Sequence, residues 1–202
     1  MFIHNINPVL LSLGPFQVRY YGLIYALGFI LAYYFLRYYI RRKKLQMREQ
    51  DLDTYVLYLI LGVVLGARLF EILFYNLPFY LNNPLEIIAV WHGGLSFHGG
   101  LVGAALATWL FCKKKKVAFL HLADYIVIPA ILGLALGRIG NFLNGELPGR
   151  ITDLPWAVQF PGAEGCRHPS QIYEALKNLI IFSILLVNVK KEHKDGYLFG
   201  LF

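Results

Sequence analysis

Five stretches of this chain are long, apolar and almost free of charge, and they decide what it can fold into. They run from about Val18 to Tyr39, Leu52 to Tyr75, Gly93 to Cys112, Leu120 to Leu143 and Gln171 to Val189. Each approaches or exceeds the ~20 residues a helix needs to cross a hydrocarbon core. Of the 202 residues, 57% are hydrophobic and 15% charged. An ordinary soluble domain is about 25% charged. A compact domain of this length has nowhere to put so much apolar surface, and a bilayer is its natural solvent. The expected fold is an all-α integral membrane protein, a multi-span helical bundle in one domain over residues 1–202. It has five spans, the start of a sixth at "GYLFGLF" (196–202) and an outer loop over 144–170.

The basic residues orient it. Of the 19 lysines and arginines, six lie in "RYYIRRKKLQMR" (37–48), four are Lys113 to Lys116, and three are Lys190, Lys191 and Lys194. These loops alternate along the chain and fall on one side. The opposite loops hold Arg19, Arg150 and Arg167. The positive-inside rule then puts the three basic loops in the cytoplasm and the N-terminus outside. A basic cytoplasmic face meeting anionic membrane lipid accounts for the net charge of +7 without nucleic acid. The first apolar stretch lacks the cleavage site of a secretory signal, and its basic residues follow it. Cys112 and Cys166 fall on opposite sides, and neither belongs to a metal-binding spacing.

In such a solvent the polar residues carry the information. An ionisable residue at the centre of a span costs about 2.5–3.5 kcal/mol, so it faces a cavity or a partner. "GRIGNFLNGELPGR" (137–150) ends one apolar stretch, and "WHGGLSFHGG" (91–100), "VRYYG" (18–22) and "RHPSQIYEALKN" (167–178) begin others. The topology sends all four to the outer leaflet. Arg138 is a planar, permanent cation suited to a phosphate. Asn141, Asn144 and Glu146 can fix hydroxyls, and His98 can carry a proton near neutral pH. Together they suggest chemistry on a phospholipid headgroup.

Bland readings stand beside these. Arg138 alone would read as a side chain snorkelling to the interface. Tyr20 and Tyr21 fit an aromatic belt, and His92 an interfacial residue beside Trp91. Arg68 and Glu71, three apart, are expected to pair with each other. Asp124 reads as a cap or as a partner for a lysine. The Lys113 to Lys116 run reads as a topology signal only.

"GRIGNFLNGELPGR" resembles the signature of the prolipoprotein diacylglyceryl transferases. "RYYGLIYALGF", "GGLSFHGGLVG" and "RHPSQIYE" support the resemblance, in the family's order, from about Val18 to the end of the chain. It implies a bacterial inner-membrane transferase with its active site toward the outer leaflet. Such an enzyme moves a diacylglyceryl group from phosphatidylglycerol to the lipobox cysteine thiol of a prolipoprotein signal peptide, without cofactor or metal. The family's functional positions fall on Tyr21, His98, Arg138, Asn141, Glu146 and Gly149. His98 is the candidate base. Arg138 and Asn141 are candidates to meet the leaving phosphate, and Glu146 to orient Arg138 or a glycerol hydroxyl. Asn144, Gly149 and Arg167 join Arg138 as candidate lipid or phosphate contacts.

The family continues with a sixth helix, bearing an arginine and a glutamate, and then a seventh. The expectation is that residues 1–202 alone have little or no transferase activity. The rival readings are an inactive or truncated family member and a non-enzymatic phospholipid-binding or transport protein. A transporter places its site near the midplane and often shows repeats. Neither trait is visible here.

Overall fold

A computed structural model describes residues 2–13 and 16–202, without the side chains of Leu13, Phe16, Gln17, Arg19, Tyr21, Tyr25 and Trp91. It is mostly helical. In chain order it comprises β1 (Phe2–Ile3), β2 (Val9–Leu13), β3 (Phe16–Arg19), α1 (Tyr20–Arg41), α2 (Glu49–Phe70), α3 (Leu77–Asn82), α4 (Phe97–Lys115), α5 (Phe119–Asn144), β4 (Val158–Gln159), α6 (Ser170–Asn188) and α7 (Tyr197–Leu201). A π-helical turn, Glu71–Tyr75, extends α2.

Four helical segments among the described residues are long and apolar enough to cross a membrane: Gly22–Arg41, Glu49–Tyr75, Phe119–Asn144 and Ser170–Asn188. Large side chains such as Phe29, Leu57, Leu65 and Ile180 stand exposed on them. Such a surface needs lipid around it. The remaining stretch, 93–112, folds as α4, whose glycines and terminal lysines make it less apolar than the other four. α2 opens with Glu49 and Asp51 and closes with Arg68. Acid first and base last is the order a helix dipole favours.

The expectation of an all-helical chain leaves out the strands. β2 and β3 form an antiparallel hairpin, with Leu13 opposite Phe16 and Val9 opposite Arg19. β1 pairs in parallel with β4, 156 positions along the chain (Phe2 opposite Val158). Strands of two residues carry no periodicity to read. The apolar run of β2 lies outside any stretch of span length.

The chain divides into two compact units, residues 39–122 and residues 1–38 with 123–202. In the first, α2 packs on α4 through small residues at four-residue spacing, Gly62 and Gly66 against Gly99, Gly103 and Ala107. A Cβ built on Gly62 would lie 2.6 Å from the Gly103 carbonyl oxygen, and one on Gly66 2.8 Å from the Gly103 Cα. Only backbones without side chains approach so closely. Lipid offers no hydrophobic drive between helices, so this contact is a main source of their association.

Arg68 does not pair with Glu71. Its buried guanidinium donates to the carbonyls of Gly93 (2.5 Å), Gly94 (2.9 Å), Ile87 and Ala89 (both 3.1 Å) and Glu86. Glu71 instead accepts from the Asn76 amide at 2.6 Å. The segment 84–92 folds as two short 3-10 turns, Pro84–Ile87 and Val90–His92, whose carbonyls, with those of Gly93 and Gly94, converge on the guanidinium. One planar five-donor group satisfies several of them at once.

The second unit is built around α5, half of whose apolar length is buried (50%, against 22% for α6). Asp124, 1% exposed, acts as a cap: it accepts from the Gly196 and Phe199 amides, both at 2.8 Å, at the start of α7.

Candidate functional site

The last two turns of α5 carry the polar signature. Arg138, Asn141 and Asn144 recur every third residue, so they share one face of the helix. Gly145 then takes a left-handed conformation (φ 70°). Its amide donates to the Phe142 carbonyl at 3.0 Å, and the Glu146 amide to the Asn141 carbonyl at 2.9 Å. This pair of bonds is a Schellman ending, which turns the chain back over the helix end. The reversal places Glu146 above Asn141 and Asn144. Asn141 Nδ2 donates to one carboxylate oxygen and Asn144 Nδ2 to the other, both at 3.2 Å. An apolar contact usually occupies this place in the motif. Here it is a carboxylate held by two amides.

Arg138 has a different acid. Its Nε lies 2.7 Å from Glu174 Oε2, with both side chains partly exposed (35% and 40%). Of the two roles expected for Glu146, orienting Arg138 or a glycerol hydroxyl, the first falls to Glu174 of α6, while the Glu146 carboxylate is held by the carboxamides. Glu174 lies within "RHPSQIYEALKN", and nothing in its sequence surroundings marks it out, since only the folded chain brings it to Arg138.

The same block explains the turn that follows. Gln171 Nε2 donates to the Glu146 carbonyl at 2.5 Å and Ser170 Oγ to that of Leu147 at 3.1 Å. An Arg167 NH group donates to the Gly149 carbonyl at 3.2 Å, and the Gly149 amide to that of His168 at 2.9 Å. Residues 167–171 therefore grip 146–149 almost carbonyl by carbonyl. Leu147, held at φ 56°, sits in a region a leucine rarely adopts. A Cβ on Gly149 would lie 2.8 Å from the His168 carbonyl oxygen, so glycine is required there. Arg167, a candidate phosphate contact, is engaged with backbone.

His4 was missed altogether. It is 4% exposed, and its Nε2 donates to the Phe142 carbonyl at 2.7 Å. Its ring stacks on Phe160 and meets Phe142 edge-on, both at 5.4 Å between centroids. Its amide donates to the Gln159 carbonyl at 2.9 Å, continuing the β1–β4 pairing. His4 thus ties the N-terminal strand to the helix end that presents Asn141 and Glu146. His4→Phe keeps the ring and loses the donor, about 1 kcal/mol. Amide exchange at Gly145 and Glu146 is expected to speed up about fivefold, with His4→Gln recovering part of the loss. Unchanged exchange in His4→Phe would remove His4 from this role.

His98 lies in the unit of residues 39–122, in the first turn of α4. It is exposed, edge-on to Phe97 at 5.8 Å. Ser96 caps its helix, accepting from the Gly99 amide at 3.3 Å. The carbonyls held by Arg68 include those of Gly93 and Gly94, so Arg68 braces the loop leading to His98. The Tyr21 side chain lies outside the described residues. No group of three His, Cys, Asp or Glu among the described residues is placed to hold a metal ion.

Comparison with known proteins agrees with the motifs that the site displays. The family model described as prolipoprotein diacylglyceryl transferase matches residues 8–202. The chain belongs to the prolipoprotein diacylglyceryl transferase family. A protein of Geobacter sulfurreducens named phosphatidylglycerol–prolipoprotein diacylglyceryl transferase is 48% identical over 200 residues, covering 98% of this chain and 77% of its own. Proteins of the same name from Desulfotalea psychrophila and Nitrosomonas europaea are 48% and 45% identical. They cover 89% and 100% of this chain, and 67% and 74% of their own. The family is one of transferases, and the Arg138–Gly149 segment lies within the matched region.

Proposed function

We propose that this chain transfers the diacylglyceryl group of phosphatidylglycerol to the lipobox cysteine thiol of a prolipoprotein signal peptide, in the bacterial inner membrane. The observation that carries the reading is a cation, Arg138, on the last two turns of an apolar helix whose end holds a carboxylate clamped by two carboxamides.

The peptide's sulfur attacks the glyceryl carbon that bears the phosphate ester. A C–S bond forms, the C–O bond breaks, and its electron pair leaves on glycerol 1-phosphate. The thiol's proton goes to a base, a role this proposal assigns to His98. A thiol near its ordinary pKa of ~8.5 needs that help to become a good nucleophile. Arg138 and the Asn141 amide meet the charge growing on the departing phosphate. Glu146, fixed by Asn141 and Asn144, accepts from a headgroup hydroxyl. Tyr21, Asn144, Gly149 and Arg167 complete the lipid contacts or shape them. His98→Gln is expected to lower the transfer rate by about 10²-fold or more, with phosphatidylglycerol binding retained. Parallel loss of binding and rate would make His98 a lipid contact instead.

The proposal includes five spans, α1, α2, α4, α5 and α6, with the N-terminus outside and the α5 polar end at the outer leaflet. Cys112 is buried and reports poorly on sidedness. Cysteines placed at the exposed positions Glu164 and Lys191 report better. With Cys166 replaced by serine, a membrane-impermeant thiol reagent in sealed cells is expected to label Glu164→Cys, and Lys191→Cys only after permeabilisation. The reverse pattern would invert the topology and move the site to the wrong leaflet.

A further inference from the structure

Within residues 39–122, the start of α2 and the end of α4 enclose an open cavity of about 570 Å³, lined by Gln46, Arg48, Asp51, Lys114, Lys115 and Lys116 among others. We infer that this cavity is a binding site for the phosphate of an anionic phospholipid, separate from the transfer site. Its lining holds four cations and one carboxylate, an excess of three positive charges.

The cations are arranged, not merely clustered. Asp51, 5% exposed, accepts from Arg48 Nε and NH2 at 2.7 and 3.0 Å and from Lys115 Nζ at 2.7 Å. One buried carboxylate therefore sets two cations at a fixed separation and neutralises neither completely. The Arg48 side chain stays 71% exposed. Lys114 Nζ donates to the Tyr58 hydroxyl at 3.3 Å, which fixes a third. The loop that carries Gln46 and Arg48 is anchored on either side of Gln46 by buried Leu45 and Met47, 1% and 9% exposed. Preorganised cations lose little freedom when an anion arrives, so the cavity offers more than a diffuse basic surface.

Depth selects the ligand. α2 continues from this cavity as an apolar segment of membrane-crossing length. Exposed Trp109 lies beneath the Lys113 ammonium, 5.3 Å from nitrogen to ring centroid. A tryptophan under a cation marks headgroup level. The phosphate found at that level is a lipid's. Free phosphate shares its chemistry, and the test separates the two.

Lys114→Gln/Lys116→Gln removes two cations that do not bond Asp51, and Lys43→Gln/Lys44→Gln removes two from the neighbouring loop. The probe is phosphatidic acid titrated into phosphatidylcholine nanodiscs holding the protein, read by native mass spectrometry. The first pair is expected to weaken phosphatidic acid binding by about tenfold, the control pair by less than about twofold. Millimolar inorganic phosphate is expected not to displace the lipid. Equal losses in both pairs would show a diffuse basic face, and no loss in either would show no site. Displacement by inorganic phosphate would assign the cavity to the free anion. Each of these three overturns the proposal.

Discussion

In a chain of the relatives' full length, Arg138→Lys is expected to lower the transfer rate by about 10²–10³-fold while leaving the fold intact. Lysine keeps the charge and loses the planar fork. Arg138 sits partly exposed, with Nε against Glu174, so the substitution disturbs little of the core. The loss then reports on the phosphate rather than on packing. Glu174→Gln provides the contrast: the guanidinium keeps a neutral hydrogen-bond partner and loses its ionic one. A smaller fall is expected there, chiefly in apparent lipid affinity. The measurement is kcat/KM for phosphatidylglycerol with a fixed signal peptide. An Arg138→Lys rate within threefold of the parent's would remove the clamp.

Gly103→Leu is expected to be the most disruptive single change in the unit of residues 39–122. A side chain there would be driven into the Gly62 carbonyl, part of a helix backbone that cannot rotate away. Overpacking of this kind costs about 3 kcal/mol, and the Tyr55–Thr108 and Asp51–Lys115 bonds lie toward the other end of the α2–α4 contact, where they cannot relieve the clash. Thermal unfolding in detergent should show a markedly lower Tm, or no folded protein. Gly200→Ala, where a Cβ meets nothing within 4 Å, should leave the Tm unchanged. A Gly103→Leu protein as stable as the parent would mean the close α2–α4 contact is not what holds them together.

The helical character was legible because length and apolarity alone nearly dictate it in lipid. The grouping of Asn141, Asn144 and Glu146 was also within reach, since it follows from helix spacing and one glycine at 145. What lay beyond the sequence is long-range. Glu174 reaches Arg138 only because the fold brings the start of α6 beside the end of α5. Gln171 and Ser170 hold carbonyls of residues 25 and 23 positions earlier, and His4 one 138 positions later. Arg68 was recognised as an ionisable residue in an apolar stretch, and a carboxylate three residues on was the obvious mate. Its true partners are main-chain carbonyls, which have no sequence signature. The β1–β4 pairing is invisible for a similar reason: two-residue strands are chosen by their surroundings, not by their own pattern.

The most direct test follows both halves of the reaction at once. The protein, carried in a chain of its relatives' full length, is placed in vesicles of phosphatidylglycerol labelled in its glycerol headgroup and given a signal peptide with one lipobox cysteine. The account predicts one glycerol 1-phosphate released for each thioether-linked diacylglyceryl peptide formed, and neither product when the cysteine is replaced by serine. Release of glycerol 1-phosphate without lipidated peptide, or tight phosphatidylglycerol binding with no release, would contradict it.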